Sequence, residues 1–144
     1  DWVLKITYLK SVDSTQTYLK NAIKKNLLDT PHAIVAFEQR DGLGSRGNKW
    51  ESIDGNLFLS FAIALDDLAQ DLRLESASIY FAYLLKESLS EFGSSVWLKW
   101  PNDFYIDDLK IGGMITNVVS DTLVCGVGLN LVSSPDGFST LDIK

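Results

Sequence analysis

Runs of apolar residues divide the first part of the chain into strands and a helix. The run at 4–9 predicts a short strand, and the run at 33–37 predicts a buried one. Between them, apolar residues recur at helical spacing over 18–23, which indicates an amphipathic helix. Asp13 or Ser14 precedes this helix, and a short oxygen-bearing side chain there caps free backbone N–H groups. The first third of the chain is therefore predicted to run strand, helix, strand.

The rest of the chain continues the alternation of strands and helices. The run at 57–65 predicts another strand, and the apolar stripe from Leu72 to Phe92 predicts a second helix that Gly93 ends. Further strands are predicted at 96–99, 104–106, 109–119 and 122–127, joined by short turns. Short antiparallel strands combined with two helices predict one α+β domain.

The amino-acid composition argues against several classes of function. The 144 residues carry 13 Lys and Arg against 19 Asp and Glu, a net charge of -6, with 46% hydrophobic residues. This balance is typical of one globular domain, and its acidity argues against broad affinity for nucleic acid or anionic membranes. The one cysteine, Cys125, excludes an internal disulfide framework, and the one histidine, His32, argues against a His-containing triad or a His-rich metal site.

Localisation is predicted from what the sequence lacks. Its start carries no signal-peptide pattern, and no stretch approaches the ~20 apolar residues that span a bilayer. We therefore expect a cytoplasmic protein with neither nucleic acid nor membrane as a partner.

A glycine-rich loop is predicted between two of the strands, over residues 40–56. Gly42, Gly44 and Gly47 fit G-x-G-x-x-G, but no helix follows as in a dinucleotide fold, and no Gly-Lys-Ser/Thr closes a P-loop. The same loop holds three cations: Arg40, Arg46 and Lys49. It can fold its N–H groups and cations around a phosphate or a carboxylate; the alternative is a solvated surface loop.

Three other segments could carry chemistry. Residues 99–103 (Lys-Trp-Pro-Asn-Asp) place two polar side chains beside a tryptophan, although a turn next to a core aromatic explains them too. Residues 109–114 set one lysine before two glycines that permit close backbone approach, or form a hairpin strand with a bulge. Residues 126–130 place small residues at the end of a buried strand.

In combination, these segments resemble the catalytic domain of biotin protein ligases, and they occur in family order. The matching segments are 13–15, 42–50, 99–103, 110–113 and 126–130. The resemblance implies a mixed, mostly antiparallel sheet with helices on one face, as in biotin and lipoate ligases and the class II aminoacyl-tRNA synthetase-like domains. It assigns residues 1–144 to this catalytic domain. We expect neither an N-terminal helix-turn-helix nor the usual C-terminal SH3-like domain.

The resemblance implies a two-step reaction. Biotin and ATP with Mg²⁺ form biotinyl-5'-AMP, and the biotinyl group then passes to a lysine of a biotin carboxyl carrier protein. A homodimer is also compatible with the family. The nearest alternatives are a lipoate or octanoate ligase or transferase of similar fold, and a non-catalytic biotin-binding domain.

Site residues follow from the resemblance by motif. The implied biotin-binding residues are Ser14, Thr15, Gln39, Gly42, Gly44, Lys110, Gly112 and Gly113. The implied nucleotide-binding residues are Arg46, Gly47, Trp50, Lys99, Asn102 and Asn130. The implied catalytic residues are Lys110, Asp103 and Arg46. For Asp103 two roles remain open, as a partner of Mg²⁺ or of the incoming lysine.

The chain departs from the family pattern in the glycine loop. Leu43, Ser45 and Asn48 stand where arginines are common, and only Arg46 is retained. We hypothesise that Arg40 and Lys49 compensate for the missing charges. Gln16 replaces a more common asparagine after Asp-Ser-Thr, which we interpret as a minor change.

Overall fold

The fold is a seven-stranded sheet with two helices. The computed structural model describes residues 3–143, so residues 1, 2 and 144 of the predicted domain lie outside the described residues. The strands are β1 (Lys5–Val12), β2 (His32–Gln39), β3 (Gly42–Leu43), β4 (Lys49–Trp50), β5 (Leu57–Ala64), β6 (Trp97–Lys99), β7 (Asp103–Ile106), β8 (Leu109–Val119) and β9 (Thr122–Leu129). The helices are α1 (Thr15–Lys24) and α2 (Ala77–Glu91).

The main sheet is mixed and mostly antiparallel, as predicted. Its strand order is β1-β2-β5-β9-β8-β7-β6, and only β1 and β2 run parallel. A parallel pair needs a crossover, which α1 supplies between β1 and β2. The remaining two strands, β3 and β4, form a separate two-stranded ribbon.

The two helices pack on opposite faces of the sheet. α1 packs with Ala62 and Val124, whereas α2 packs with Phe61 and Cys125. Successive residues of a strand point to opposite faces, so these adjacent positions on β5 and β9 separate the two helices. The expectation of helices on one face is therefore wrong. An apolar stripe predicts that a helix packs on a sheet, but it does not say on which face.

Element boundaries differ from the predicted ones where local signals are weak. α2 begins at Ala77 rather than Leu72, because residues 74–76 form a 3₁₀ turn before it. Its C-terminal stop is confirmed, since Gly93 follows with a positive φ of 97°. Phe92, predicted on the buried stripe, is 78% exposed because it lies just past the last turn. The predicted loop at 40–56 contains the β3–β4 ribbon.

The segment after β9 folds back over one end of the sheet. The Asn56 side-chain oxygen accepts the backbone N–H groups of Leu131 and Val132, both at 2.8 Å. Further along, the Ser139 N–H donates to the Lys110 carbonyl at 3.0 Å. These bonds hold residues 131–139 beside β8. Within residues 3–143, neither helix combines the length and the apolar character that crossing a bilayer requires.

Candidate active site

The N-terminus of α1 forms one end of a cleft on the α1 face of the sheet. Ser14 caps the helix by accepting the Thr17 N–H at 3.2 Å. The Thr15 N–H donates to the Gln39 side-chain oxygen at 3.0 Å, which brings β2 to the same point. The Thr15 hydroxyl lies 2.9 Å from the Ser60 hydroxyl of β5. This end of the cleft therefore concentrates polar groups of three elements.

Glycines on β8 and β9 keep the floor of the cleft open. A Cβ on Gly126 would lie 2.6 Å from the Gln16 side-chain oxygen, and one on Gly128 would lie 2.5 Å from the Trp50 indole nitrogen. Because real Cβ atoms do not approach so closely, any larger residue would push the cleft walls outward. The glycines of β9 thus leave room in the cleft for side chains of other elements.

One ion pair lies in the cleft. Lys110 Nζ on β8 is 3.1 Å from Asp103 Oδ1 on β7, and both side chains are about a quarter exposed. The same ammonium group sits 5.5 Å from the Trp50 ring centroid. Among the described residues that line the cleft, Lys110 carries the only positive charge and Asp103 the only negative charge. Any anion bound here meets a cation that a strand and a carboxylate already hold in place.

A second cavity adjoins the first and is lined by aromatic rings. Trp50 and Phe138 pack edge to face in its wall, with centroids 6.2 Å apart. Lys49 adds a positive charge to it. The two cavities share Gly44, Ser45, Trp50 and Lys110. Lys110 therefore stands at the junction between a polar cleft and an aromatic cavity.

Most of the predicted site residues meet in the cleft. The ones that line it are Ser14, Thr15, Gln39, Gly44, Trp50, Asn102, Asp103, Lys110 and Gly113. Gly42 stands directly behind, since a Cβ there would lie 2.7 Å from the Gln39 amide nitrogen. Asn102 is 9% exposed, and its amide donates to the Met114 carbonyl, so it also fastens β7 to β8.

Four predicted residues lie outside the cleft. Arg46 and Gly47 occupy an exposed turn between β3 and β4, beside a shallower depression. Lys99 is exposed on β6, with its ammonium 5.1 Å from the Tyr105 ring centroid. Gly112 points to the opposite face, where a Cβ would lie 2.9 Å from a Leu129 methyl. Their implied roles therefore gain no support from position.

Asn130 is also displaced from its implied place at the nucleotide. It is 1% exposed, its amide nitrogen donates to the Ser139 carbonyl at 3.2 Å, and its oxygen accepts from Asn56. These bonds tie the segment after β9 to the sheet. The geometry gives Asn130 a positioning task behind the aromatic cavity.

Arg40 and Lys49, the two cations that we expected to compensate for the missing loop arginines, lie in different parts of the structure. The Arg40 guanidinium pairs with Asp13 at 3.0 Å and also contacts the Ser11 hydroxyl, on an exposed surface. Lys49 instead lines the aromatic cavity next to Lys110. Of the two, only Lys49 brings a positive charge to the aromatic cavity, where Glu51 adds a negative one, and Lys49 is not among the residues that both cavities share.

Three residues of the site were missed by sequence reasoning. Gln16, interpreted as a minor change, is 3% exposed at the floor of the cleft and makes three side-chain hydrogen bonds. Ser60 is fully buried within an apolar strand, where a small polar residue gives no distinctive signal. Phe138 follows the last strand in a segment without periodicity. For the close contact between Gly126 and Gln16, the only signal in the sequence was the run of small residues at 126–130.

The lone histidine and cysteine stay out of the cleft. Burial raises the pKa of the Cys125 thiol to about 12, so it remains a neutral thiol on the α2 face. The His32 pKa is lowered by burial and by nearby Lys5, and His32 lines a different cavity. Neither group carries chemistry in the described cleft.

Comparisons with known proteins point to one family. The model of the biotin/lipoate A/B protein ligase family matches residues 8–130. The bifunctional ligase/repressor BirA of Escherichia coli is 32% identical over 133 residues, which is 88% of this chain but 40% of that protein. The chain thus spans well under half the length of this relative.

Two solved structures are similar in fold and sequence. The Helicobacter pylori biotin acetyl coenzyme A carboxylase synthetase with bound biotinylated ATP superposes with a TM-score of 0.94 at 44% identity, covering 99% of this chain and 67% of that one. The Aquifex aeolicus biotin protein ligase in complex with biotin and ATP gives 0.69 at 31% identity, covering 94% and 58%.

Proposed function

The chain belongs to the biotin/lipoate A/B protein ligase family, and on this premise we propose that it is a biotin protein ligase. It would activate biotin with ATP and Mg²⁺ and pass the biotinyl group to a lysine of a biotin carboxyl carrier protein. One observation carries the proposal: Lys110 stands where the polar cleft meets the aromatic cavity. Similar proteins were solved with biotinylated ATP, or with biotin and ATP, which supports two ligands in one connected site.

The first step joins two anions. A biotin carboxylate oxygen attacks the α-phosphorus of ATP, the bond to the diphosphate breaks, and biotinyl-5'-AMP forms. Charge develops between the two ligands, so a fixed cation is needed at their meeting point. Lys110 supplies it from a strand, and its pairing with Asp103 limits how far the ammonium can move. Trp50 and Phe138 give the nucleotide base two aromatic walls.

The second step transfers the biotinyl group. The acceptor lysine amine attacks the acyl carbon, AMP leaves, and the amine gives up a proton. We propose Asp103, the one carboxylate lining the cleft among the described residues, as the group that takes this proton. Residues 3–143 contain no group of three or more acidic, histidine or cysteine side chains that could hold a metal ion. We therefore propose that Mg²⁺ would enter on the ATP phosphates; contact of Asp103 with that ion is the alternative to its role as the base.

Protection of the intermediate is assigned to the β3–β4 ribbon. A mixed anhydride hydrolyses readily, so the site must exclude water while it waits for the acceptor. Gly44 and Ser45 of the ribbon border both cavities and lie over the place where the anhydride would sit. The reaction would take place in the cytoplasm, which the buried free thiol of Cys125 supports.

Mass spectrometry tests the proposal directly. The chain is incubated with biotin, MgATP and a biotin carboxyl carrier domain, and intact masses of carrier and small molecules are recorded. We expect biotinyl-5'-AMP without the carrier, and one added biotin per carrier when it is present. Modification by lipoate or octanoate instead would indicate the lipoate ligase alternative. Binding of biotin without formation of the adenylate would indicate a non-catalytic domain.

A further inference from the structure

We propose that Gln16 and Ser60 form a hydrogen-bond relay that turns the Thr15 hydroxyl into an obligate acceptor for a ring N–H of the ligand. This inference rests on the proposed function, since it explains how a cyclic urea is chosen there. Gln16 and Ser60 touch the cleft floor, and they are positioning residues because they act through Thr15.

The relay begins at a backbone carbonyl. The Gln16 amide nitrogen lies 3.0 Å from the Val124 carbonyl oxygen, and a carbonyl can only accept. The nitrogen must therefore face Val124, which turns the amide oxygen of Gln16 toward Ser60. A second N–H donates to the Asn117 side-chain oxygen at 3.1 Å, in agreement with this orientation. The direction of the amide is thus fixed by the protein alone.

The fixed amide sets the direction of two hydroxyl protons. Ser60 lies 2.8 Å from the Gln16 oxygen, which has no proton to offer, so Ser60 donates its single proton there. The Thr15 and Ser60 oxygens are 2.9 Å apart. Since the Ser60 proton is committed, Thr15 must donate across this contact. The alternative partner of Thr15, the Gln39 oxygen at 3.4 Å, is also an acceptor and would use the same proton.

Thr15 is therefore left with lone pairs and no proton for a ligand. Ser14, the neighbouring cap, accepts from the Thr17 N–H and keeps its hydroxyl proton available. The end of the cleft thus presents one acceptor beside one donor. A cyclic urea, with an N–H next to a carbonyl, matches this pair, whereas a dithiolane or an alkyl chain offers neither group. A buried acceptor left unpaired is costly, so the relay penalises ligands without an N–H.

The surroundings hold the relay in place. Gln16, Ser60 and Thr15 are at most 4% exposed, so water does not compete for their bonds. Gly126 leaves the space that the longer Gln16 side chain occupies, because a Cβ there would lie 2.6 Å from the Gln16 oxygen. We therefore predict that the Gln16 side chain keeps this position only while residue 126 is a glycine.

Calorimetric binding of biotin tests the relay through Ser60→Ala. Without the Ser60 oxygen, the Thr15 proton keeps only the longer 3.4 Å contact to the Gln39 oxygen and can turn toward the ligand, where it opposes the ligand N–H, so we expect biotin affinity to fall about five- to ten-fold. Asn117→Ala is the matched control. It removes a Gln16 partner but leaves the Val124 carbonyl to orient the amide, so affinity should stay within about two-fold.

Two further readouts separate a relay from a structural defect. In the adenylation reaction, Ser60→Ala should raise the KM for biotin and leave the KM for ATP unchanged. Gln16→Met should have a similar effect, and the double variant should be no worse than Ser60→Ala, because links of one relay are not additive. Thermal unfolding of each variant identifies any that fails to fold. If Gln16→Met or the double variant fails, the biotin affinity of Ser60→Ala compared with that of Asn117→Ala decides.

The contrary results are distinct. Wild-type affinity in Ser60→Ala, an equal rise in both KM values, or independent effects in the double variant would each overturn the relay and leave the proposed function intact. A wild-type chain that binds no biotin would overturn the proposed function, and the relay with it.

Discussion

At the scale of single residues, the chemistry depends on side chains whose surroundings fix what they can do. A lysine is usually exposed at the protein surface. The Lys110 side chain is instead only about a quarter exposed, and it forms an ion pair at the junction of the two cavities. The sequence places Thr15 at the start of a helix. In the fold its hydroxyl is also hydrogen-bonded to the Ser60 hydroxyl. In both cases the function comes from the neighbours as much as from the residue.

The residue-scale prediction concerns charge at the junction. Lys110→Ala should lower the rate of biotinyl-5'-AMP formation at least about 100-fold, because no other cation among the described residues lines the cleft. Loss of this ion pair, whose side chains are about a quarter exposed, should cost at most about 1 kcal/mol of unfolding free energy. Rapid-quench assays measure the rate, and urea unfolding measures the stability.

A matched control exists on the opposite face. Lys86 of α2 is 28% exposed in its side chain and pairs with Glu87 at 3.2 Å, close to the values for Lys110. Lys86→Ala should therefore cost similar stability and leave the adenylation rate near wild type. If both lysine variants lose the same activity, or neither does, the role given to Lys110 is incorrect.

The sequence predicts the site residues unevenly, and the reason is physical. Ser14, Thr15 and Lys110 were predicted from the family resemblance by motif, and two of them also stand out in the pattern, Ser14 as a helix cap and Lys110 as one lysine before two glycines. Ser60 could not be found in this way, since a small residue in an apolar strand has the pattern of ordinary core packing. Phe138 joins the site only through the fold-back of the segment after β9.

At the scale of elements, β9 contributes its backbone rather than its side chains. Gly126 and Gly128 lie on the same face, two residues apart, and each admits a different group of the site. Gly126 admits the Gln16 amide, and Gly128 admits the Trp50 indole. The strand thereby sets the depth of the cleft at one point and the position of the shared aromatic wall at the next.

This spacing gives a paired prediction. Gly126→Ala should displace Gln16 and raise the KM for biotin at least about ten-fold, with a smaller effect on ATP. Gly128→Ala should displace Trp50 and raise the KM for ATP more than that for biotin. Steady-state adenylation with each substrate varied in turn measures both values. Identical effects of the two alanines on both substrates would contradict the division of the site along β9.

The arrangement of elements was predictable only in part. The pattern of apolar runs predicted the short antiparallel strands at 96–127 and the turns that join them, whereas the mixed character of the sheet was implied only by the resemblance. The faces occupied by α1 and α2 were not predictable, since both helices carry an apolar stripe of the same kind. The two-residue strands of the β3–β4 ribbon are too short to show any period.

At the scale of the whole molecule, the segment after β9 is fastened to the far side of the fold. The Asp142 carboxylate accepts from the hydroxyls of Ser94 and Ser95, each at 2.6 Å, and from the Ser95 N–H at 2.9 Å. The same segment carries Phe138, which walls the aromatic cavity. A contact far from the chemistry thus helps to hold one wall of the site.

Acid stability tests this fastening. The Ser94 and Ser95 hydrogen bonds lower the Asp142 pKa from 3.8 to about 2. Because the folded pKa is depressed, the stabilisation is present above pH 4 and is lost as pH falls through 2. Asp142→Asn should lower the free energy of unfolding by about 1 kcal/mol at neutral pH, a small value because the carboxylate is exposed to solvent. It should also reduce the loss of unfolding free energy between pH 4 and 2. Urea unfolding across that range would contradict the assignment if both proteins declined in parallel.

The central claim is that two adjoining cavities, joined at Lys110, hold the two halves of one acyl-adenylate. A crystal structure of the chain with a non-hydrolysable biotinyl-5'-AMP analogue tests it most directly. We predict the cyclic urea against Thr15 and Gln39, the linking phosphate about 3 Å from Lys110 Nζ, and the base against Trp50 in the aromatic cavity. A phosphate out of reach of Lys110, or a base outside the aromatic cavity, would contradict the account.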